Sequence, residues 1–308
     1  MNKLFIANCN ICGGDSFRKV GKGYDYEYLT SKDDFQFVQC VNCGHLFLQN
    51  PPAVCELSAI YPENYLPYNF EEKLSPVTKY ARTLIQRLKI RSYNEFCPAN
   101  ASILDIGAGS GILIKMLRDY GAKGWKLTAN DFDAARLRYL ETYDIAVLPG
   151  NFEEIEIHGK YDVIIMNQVL EHVYEPEKRI GKCAEILNVG GTLIIETPNF
   201  DSADFRIFKS SYWGGYHIPR HFNIFSDATL RRCLESNGFT IKRIEYMLSP
   251  SFWIQSLHHY FYDKGRGLSG FFTVNNLLLA IFFSLIDLLL SLVYKTSNMR
   301  IIAVKVSA

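Results

Sequence analysis

The run Ser102-Ile103-Leu104-Asp105-Ile106-Gly107-Ala108-Gly109-Ser110-Gly111 constrains the fold more than any other stretch of this chain. The apolar residues Ile103 to Ile106 suit a buried strand of a parallel sheet, and Ile112-Leu113-Ile114-Lys115-Met116-Leu117 continues at helical spacing. Strand, tight turn and helix are therefore consecutive. Three alternate glycines meet the two demands of such a turn, positive φ and a backbone that a ligand can approach without meeting a Cβ. A dinucleotide fingerprint would carry its third glycine one residue later, where Ile112 stands, which argues against a nicotinamide or flavin site. Asp105 argues the same way, because an acid at a strand end repels a pyrophosphate and attracts a cationic ligand.

The elements that follow keep the alternation going. Trp125–Ala129 reads as a second strand ending at Asp131, which lies 20 residues past Gly111, near the spacing at which an acid grips ribose hydroxyls in doubly wound folds. Asp133 is expected to cap a helix from Ala134 to Tyr143, and Ala146–Leu148 makes a short third strand before Gly150-Asn151. Tyr161–Met166 is strand four and runs out into Asn167-Gln168-Val169-Leu170-Glu171-His172-Val173. A helix Glu177–Leu187, strand five at Thr192–Thr197, a helix capped by Ser226-Asp227, and last strands Thr240–Leu248 and Arg300–Val306 complete the pattern. It predicts a doubly wound α/β sheet. The loop after strand five, Ser210 to Asn223, is long, aromatic and histidine-bearing, as functional loops at a sheet's ligand edge often are.

The pattern around Asp105 resembles motif I of the class I S-adenosylmethionine (SAM) dependent methyltransferases. Val169-Leu170-Glu171-His172-Val173 and Pro219-Arg220-His221 are similar to elements of a subgroup that includes ubiquinone-biosynthesis O-methyltransferases and sugar methyltransferases. The resemblance implies a Rossmann-like sheet of seven strands, the last one antiparallel, and SAM as cofactor. It places cofactor contacts at Asp105, Gly107, Gly109, Gly111, Asp131, Asn151 and Gln168. Asn151 stands where the family often has an acid, and accepts through its amide oxygen. For the base that removes the acceptor's proton, histidine titrates nearest neutrality, and the candidates are His221, then His217, then His172. Pro219 lies between the first two, so their directions do not follow from their spacing. Arg220 has two readings, a grip on an acceptor phosphate or carboxylate and a loop ion pair. Glu171 and His172 likewise either meet ligand or serve as a helix cap and a supporting ring.

The amino-terminal segment carries two C-x-x-C-G knuckles, Cys9/Cys12 and Cys40/Cys43, at a spacing close to four-cysteine structural zinc sites. Four thiolates fill a tetrahedral Zn2+ ion, so His45 is not needed as a ligand. Cys55, Cys97, Cys183 and Cys233 read as small core residues. The cluster Tyr61-Pro62-Glu63-Asn64-Tyr65-Leu66-Pro67-Tyr68 either lines a ligand pocket or covers the ribbon, and Ser75-Pro76 to Phe96 is helical. The expected organisation is a zinc-ribbon segment 1–50, a linker and helix 51–100, and a SAM-binding domain 101–308 with an apolar helical insertion at 251–297 before the last strand.

Formal net charge is +1, with no Lys/Arg-rich tract, so nucleic acid is not an expected partner and an RNA base methyltransferase is the second reading. A non-catalytic SAM-binding module is the third. The leading expectation is methyl transfer to a small molecule or glycan, such as a nucleotide- or lipid-linked sugar in polysaccharide biosynthesis. The first residues form too short an apolar run for a signal peptide, which points to the cytoplasm. From Phe271 to Tyr294 the only charge is Asp287, and Asn276, Ala280, Ser284, Asp287 and Ser291 form one narrow polar or small stripe on a helix. That stretch fits a membrane surface, a homodimer contact or a lid buried against its own domain.

Overall fold

In the computed structural model the described residues are 1–62, Tyr65, Thr83, Arg87 and 89–306. The strands are β1 (Phe17–Gly23), β2 (Phe35–Cys40), β3 (Leu46–Leu48), β4 (Ser102–Ile106), β5 (Lys126–Asp131), β6 (Ala146–Pro149), β7 (Tyr161–Asn167), β8 (Leu187–Pro198), β9 (Asn223–Ile224), β10 (Phe239–Met247) and β11 (Asn298–Lys305). Seven of them form one sheet in the order β10-β11-β8-β7-β4-β5-β6. β4 lies at its centre, parallel to β5 and β7, while β11 is inserted antiparallel to both β8 and β10. This is the doubly wound, seven-stranded arrangement expected from the sequence.

Alternation along β4 divides the core between the two sheet faces. Leu104 and Ile106 join Ile164, Met166, Leu193 and Ile195 under the helices Pro176–Ile186 and Asp227–Ser236. Ile103 joins Val163, Ile165 and Ile194 on the other face, under the helix Ile112–Tyr120 and the end of the helix that includes Ile90 and Tyr93. Ser226 caps the Asp227–Ser236 helix through a reciprocal pair with Thr229.

Some local expectations are corrected. Residues Ala134–Tyr143 form a 3-10 helix, and Asp133 does not cap it, because its carboxylate is held by Arg136 at 2.5 Å. The fifth strand begins at Leu187, so Asn188–Gly191 belong to it. Cys55 is exposed, whereas Cys97, Cys183 and Cys233 are buried. Most of the expected Ser75–Phe96 helix, and Glu63, Asn64 and Leu66–Tyr68 of the aromatic cluster, lie outside the described residues.

The amino-terminal strands build a second sheet, β1-β2-β3-β9, whose last member comes from the loop after β8. Leu46 pairs with Ile224 and Phe47 with Asn223. The ribbon is thus stitched to the histidine-bearing loop. The insertion before β11 forms the helices Pro250–Asp263 and Leu277–Ser291. Among the described residues, no helix is long and apolar enough to cross a membrane.

Candidate functional site

The glycine loop leaves β4 with Gly107, Gly109 and Gly111 all at positive φ, +67°, +58° and +73°. A Cβ on Gly107 would come within 2.7 Å of Val169, and one on Gly111 within 2.8 Å of Leu140, so the outer two glycines serve close packing. A Cβ on Gly109 would meet nothing within 4 Å. The middle of the loop therefore faces open space, as a backbone that cradles a ligand must. Asp131, at the end of β5, ties down this turn: one carboxylate oxygen accepts the Gly109 N–H at 2.8 Å and the other accepts the Asp133 N–H at 3.0 Å. Each oxygen keeps a lone pair for a ligand hydroxyl.

Asp105 is buried, and its Oδ2 has no hydrogen-bond partner among the described residues. Burial pushes its carboxyl up to about 8, with Asp131 and Glu196 adding to the rise against Lys89. Such a group waits for a cation. An unpaired acid, an open Gly109 and a tethered Asp131 fit the cationic methionine part and the ribose of SAM. Asn151 lies further out, where its Nδ2 donates to Glu154 Oε1 at 3.0 Å and leaves its oxygen to accept. Gln168, at φ +55°, sits where β7 ends; its N–H donates to Glu196 O at 2.8 Å and its Nε2 to Asn298 Oδ1 at 3.0 Å.

Val169, against Gly107, leads into a 3-10 turn, Leu170–His172, that joins the glycine loop to a histidine cluster. Ring centroids of His172 and His221 are 4.7 Å apart, those of His217 and His221 4.9 Å, and those of His172 and His217 6.4 Å. The three candidate bases converge: His217 and His221 flank a turn closed by the Arg220 N–H donating to His217 O at 2.8 Å, and His172 reaches them from the turn after β7. His172 Nδ1 lies 3.0 Å from Arg220 O, and His221 Nδ1 lies 2.9 Å from Gly215 O. A carbonyl oxygen only accepts, so each Nδ1 carries the proton and each Nε2 the lone pair. His217 Nδ1 lies 2.8 Å from Glu27 Oε1, and its Nε2 lies 3.3 Å from Tyr65 OH. Burial lowers His172 to about 3, aided by His217, and lowers His221 well below the usual histidine range, aided by both neighbours.

Glu171 is fully buried; Oε2 accepts the Thr197 hydroxyl at 3.0 Å and Oε1 has no partner among the described residues. Burial pushes this carboxyl up to about 8. Ligand atoms of Glu171, His172 and His221 all lie within 4.8 Å of one another, close enough to hold a common cation. Glu171 therefore belongs to the cluster rather than to a helix cap. Tyr61 OH lies 3.2 Å from His172 Nδ1, so Tyr61 and Tyr65 both contact the histidines, as a pocket wall would.

Arg220 is the loop ion pair of its two sequence readings. It is fully buried, donating to both oxygens of Asp25 at 2.8 and 3.2 Å, to Ile60 O at 2.7 Å and to Ile218 O at 3.1 Å. Its donors are spent inside the protein, so it does not grip an acceptor. The acids that hold Arg220 and His217, Asp25 and Glu27, were not singled out from the sequence. Their signal is the run Tyr24-Asp25-Tyr26-Glu27-Tyr28, which closes into a turn where Asp25 Oδ1 accepts the N–H groups of Glu27 and Tyr28 at 3.2 and 3.0 Å.

In the ribbon, Sγ of Cys9 is 3.6 Å from that of Cys43, Sγ of Cys12 is 3.6 Å from that of Cys40, and all four lie within 4.8 Å. A tetrahedral ion with Zn–S bonds of about 2.3 Å would separate its sulfurs by about 3.8 Å. The four thiols fit zinc, and each knuckle turns through a matching glycine, Gly13 at φ +72° and Gly44 at φ +77°. His45 lies outside the set: its Nε2 donates to Asn223 Oδ1 at 2.9 Å, and Asn223 also accepts from Asn10 at 2.7 Å.

Comparison with known proteins agrees with this geometry. A family model described as a methyltransferase domain matches residues 76–244, more than half of the chain. The ubiquinone biosynthesis O-methyltransferase of Xanthomonas axonopodis pv. citri (strain 306) is 30% identical over 167 residues, covering 49% of this chain and 67% of that protein. The enzyme of the same name from Chelativorans sp. (strain BNC1) is 37% identical over 149 residues, covering 46% of this chain and 59% of that protein. Among the first few such relatives, the matches span 43% to 67% of the relative's length. Phosphoethanolamine N-methyltransferase 2 of Haemonchus contortus, solved with S-adenosyl-L-methionine, superposes with a TM-score of 0.52 at 15% identity, over 99% of this chain and 71% of that one, and so shares the fold. Sheet order, glycine loop and family match agree: the chain belongs to the S-adenosylmethionine-dependent methyltransferases.

Proposed function

We propose that this chain transfers the methyl group of SAM to a hydroxyl of a small-molecule or glycan acceptor, with His221 as the group that takes the acceptor's proton. The observation that carries the proposal is the convergence of three histidines beside the glycine loop, two of them with Nδ1 committed to a carbonyl and Nε2 left as a lone pair. Bound SAM would supply a methyl on an already activated sulfonium. Asp105 would hold the cationic part, Asp131 the ribose, and Asn151 and Gln168 would flank it. The chain's own work is alignment, exclusion of water and proton removal. His217, oriented by Glu27, and His172 stand beside His221 and set its position and polarity.

A hydroxyl acceptor also agrees with the relatives, which are named as O-methyltransferases. Tyr61 and Tyr65 against the histidines suit the flat face of a sugar or an aromatic ring. With Arg220 spent on Asp25, the proposal favours a lipid-linked over a nucleotide-linked glycan. The test is methyl transfer from labelled SAM to a panel of such acceptors. Replacing His221 by Ala should lower kcat by about 10²- to 10⁴-fold with SAM affinity unchanged. A parental rate in that variant would remove His221 from the chemistry.

A further inference from the structure

The helix Leu277–Ser291 is built inside out. Its one charged residue, Asp287, faces the protein, where the Ser249 N–H and the Trp253 indole N–H donate to its two oxygens at 2.6 and 2.8 Å. Phe283 stacks on Trp253 at 5.8 Å from the same side, with Leu279, Ile286 and Leu290 beside it. Leu278, Phe282, Leu285, Leu289, Leu292 and Val293 point outward, each more than half exposed, Leu278 at 79% and Val293 at 82%. With 100° per residue, the outward apolar positions of the helix from Leu277 to Leu289 cover an arc of about 140°, and Leu292 and Val293 extend the apolar surface past its end. A seam for one partner helix is narrower, an a/d stripe with charged residues on its flanks. This arc is broad and convex and carries no charge.

We infer that this face is a docking surface for a lipid bilayer with anionic headgroups, entered sideways rather than spanned. The edge of the face supports that occupant over a second copy. The turn into the helix exposes Leu268 and Phe271, and the same turn carries Lys264 and Arg266. Among the described residues Lys264 has Asp263 at 3.9 Å and the Tyr212 ring at 5.9 Å, and Arg266 has no ion pair. A large apolar face edged by cations and by Tyr262 is the arrangement of helices that lie in the headgroup layer. Arg266, without an ion pair among the described residues, would meet its own like charge on the identical rim of another copy, whereas an anionic headgroup layer would neutralise it.

The surface also lies close to the reaction site. The helix Pro250–Asp263 stands between them: Ser256 accepts the Gly214 N–H at 2.8 Å, and Gln255 lies 3.3 Å from Glu27, the partner of His217. An acceptor anchored in lipid would meet the histidines at the membrane surface. The docking inference stands on this helix and the cations before it, and does not depend on which acceptor is methylated.

Flotation of the full chain with vesicles of phosphatidylglycerol, and separately of phosphatidylcholine, tests it. The parent should float with phosphatidylglycerol vesicles. Replacing both Leu285 and Leu289 by Asp should cut partition by more than about a hundredfold, since two buried leucines become two charges. R266Q should cut it by about fivefold on phosphatidylglycerol and leave phosphatidylcholine unaffected. SAM affinity should stay at the parental value in both variants, which confirms that they fold and separates this result from any failure of the methyltransferase proposal. Equal flotation of parent and double variant, or none by the parent, would overturn the inference. A lipid-free dimer abolished by the double substitution, with no vesicle binding, would overturn it in favour of a second copy.

Discussion

Replacing Asp105 by Asn tests the cofactor site without changing its shape. In the ligand-free protein the Asp105 carboxyl is pushed up from 3.8 to about 8 by burial, so at pH 7 about one molecule in ten carries the carboxylate. A cationic ligand selects that form, and binding must release the proton. Affinity of the parent for SAM should therefore rise about tenfold per pH unit up to about pH 8 and level off above it, one pH unit being about 1.4 kcal/mol. Asn has no proton to lose. Its affinity should lack that slope and, above pH 8, fall short of the parent's by about 1.5–3 kcal/mol, the worth of a charge-assisted hydrogen bond. Stability has the opposite sign: a raised folded-state pKa stabilises fully below pH 3.8 and is lost as pH rises through about 8, so without ligand the Asn variant should gain on the parent as pH rises. Calorimetric titration from pH 6 to 9, in two buffers of different ionisation enthalpy, reads affinity and proton release together. The amino group of SAM itself titrates near the top of this range, so the slopes of parent and variant are compared below about pH 7.5, where SAM is cationic for both. Identical pH slopes in parent and variant would refute the reasoning.

Three further outcomes are expected. His172, His221 and His259 are all lowered by burial, the first to about 3 and the last to about 4, so the stability they contribute is present above pH 6.5 and is lost as pH falls towards their folded-state values, by about 1.4 kcal/mol per pH unit for each; urea midpoints at pH 7 and pH 5 measure it, and a midpoint independent of pH in His172→Gln but not in the parent would assign the whole effect to one ring. Elemental analysis should find about one zinc per chain, and because β3 pairs with β9 two residues after His221, Cys40→Ser should lower melting temperature and methyl-transfer rate together; an unchanged rate would show the histidines to be independent of the ribbon. Arg220→Met should destabilise by about 3–5 kcal/mol, since Asp25 is left buried and uncompensated, whereas a loss confined to acceptor KM would restore the substrate-grip role.

What the sequence made legible was contiguous. The glycine loop, the strand order and the four cysteines each depend on neighbours or on repeated short spacings, and each appears in the structure. Partnerships across long separations were illegible. Glu27 and His217 are 190 residues apart, and Asp25 and Arg220 are 195. No periodicity connects them. His217 and His221 share a site because the chain reverses at Pro219, the residue whose presence hid their relation. In the insertion, the stripe through Asp287 was visible but its direction was not. A helical wheel separates two faces without saying which turns inward, and here the N–H donors of Ser249 and Trp253 decided it.

The same long-range contacts bear on why a four-cysteine ribbon accompanies this sheet. Zinc held there would staple a segment too small to hold itself together, and that segment delivers two acids to the histidine loop. Asp25 neutralises the buried Arg220, whose carbonyl fixes the His172 tautomer, and Glu27 does the equivalent for His217. Asn223 ties the loop back to the metal end through His45 and Asn10. The Asp25 and Glu27 links run from the ribbon to the groups that set the protonation of His172 and His217, and the Asn223 links hold the loop in place. Without residues 1–50 the sheet would keep its glycine loop, but Arg220 would be a buried cation with no counter-ion and His217 would lose its orienting acid. The ribbon is therefore best understood as one wall of the histidine cluster, and an ion held by the four cysteines would rigidify the hairpin that carries Asp25 and Glu27.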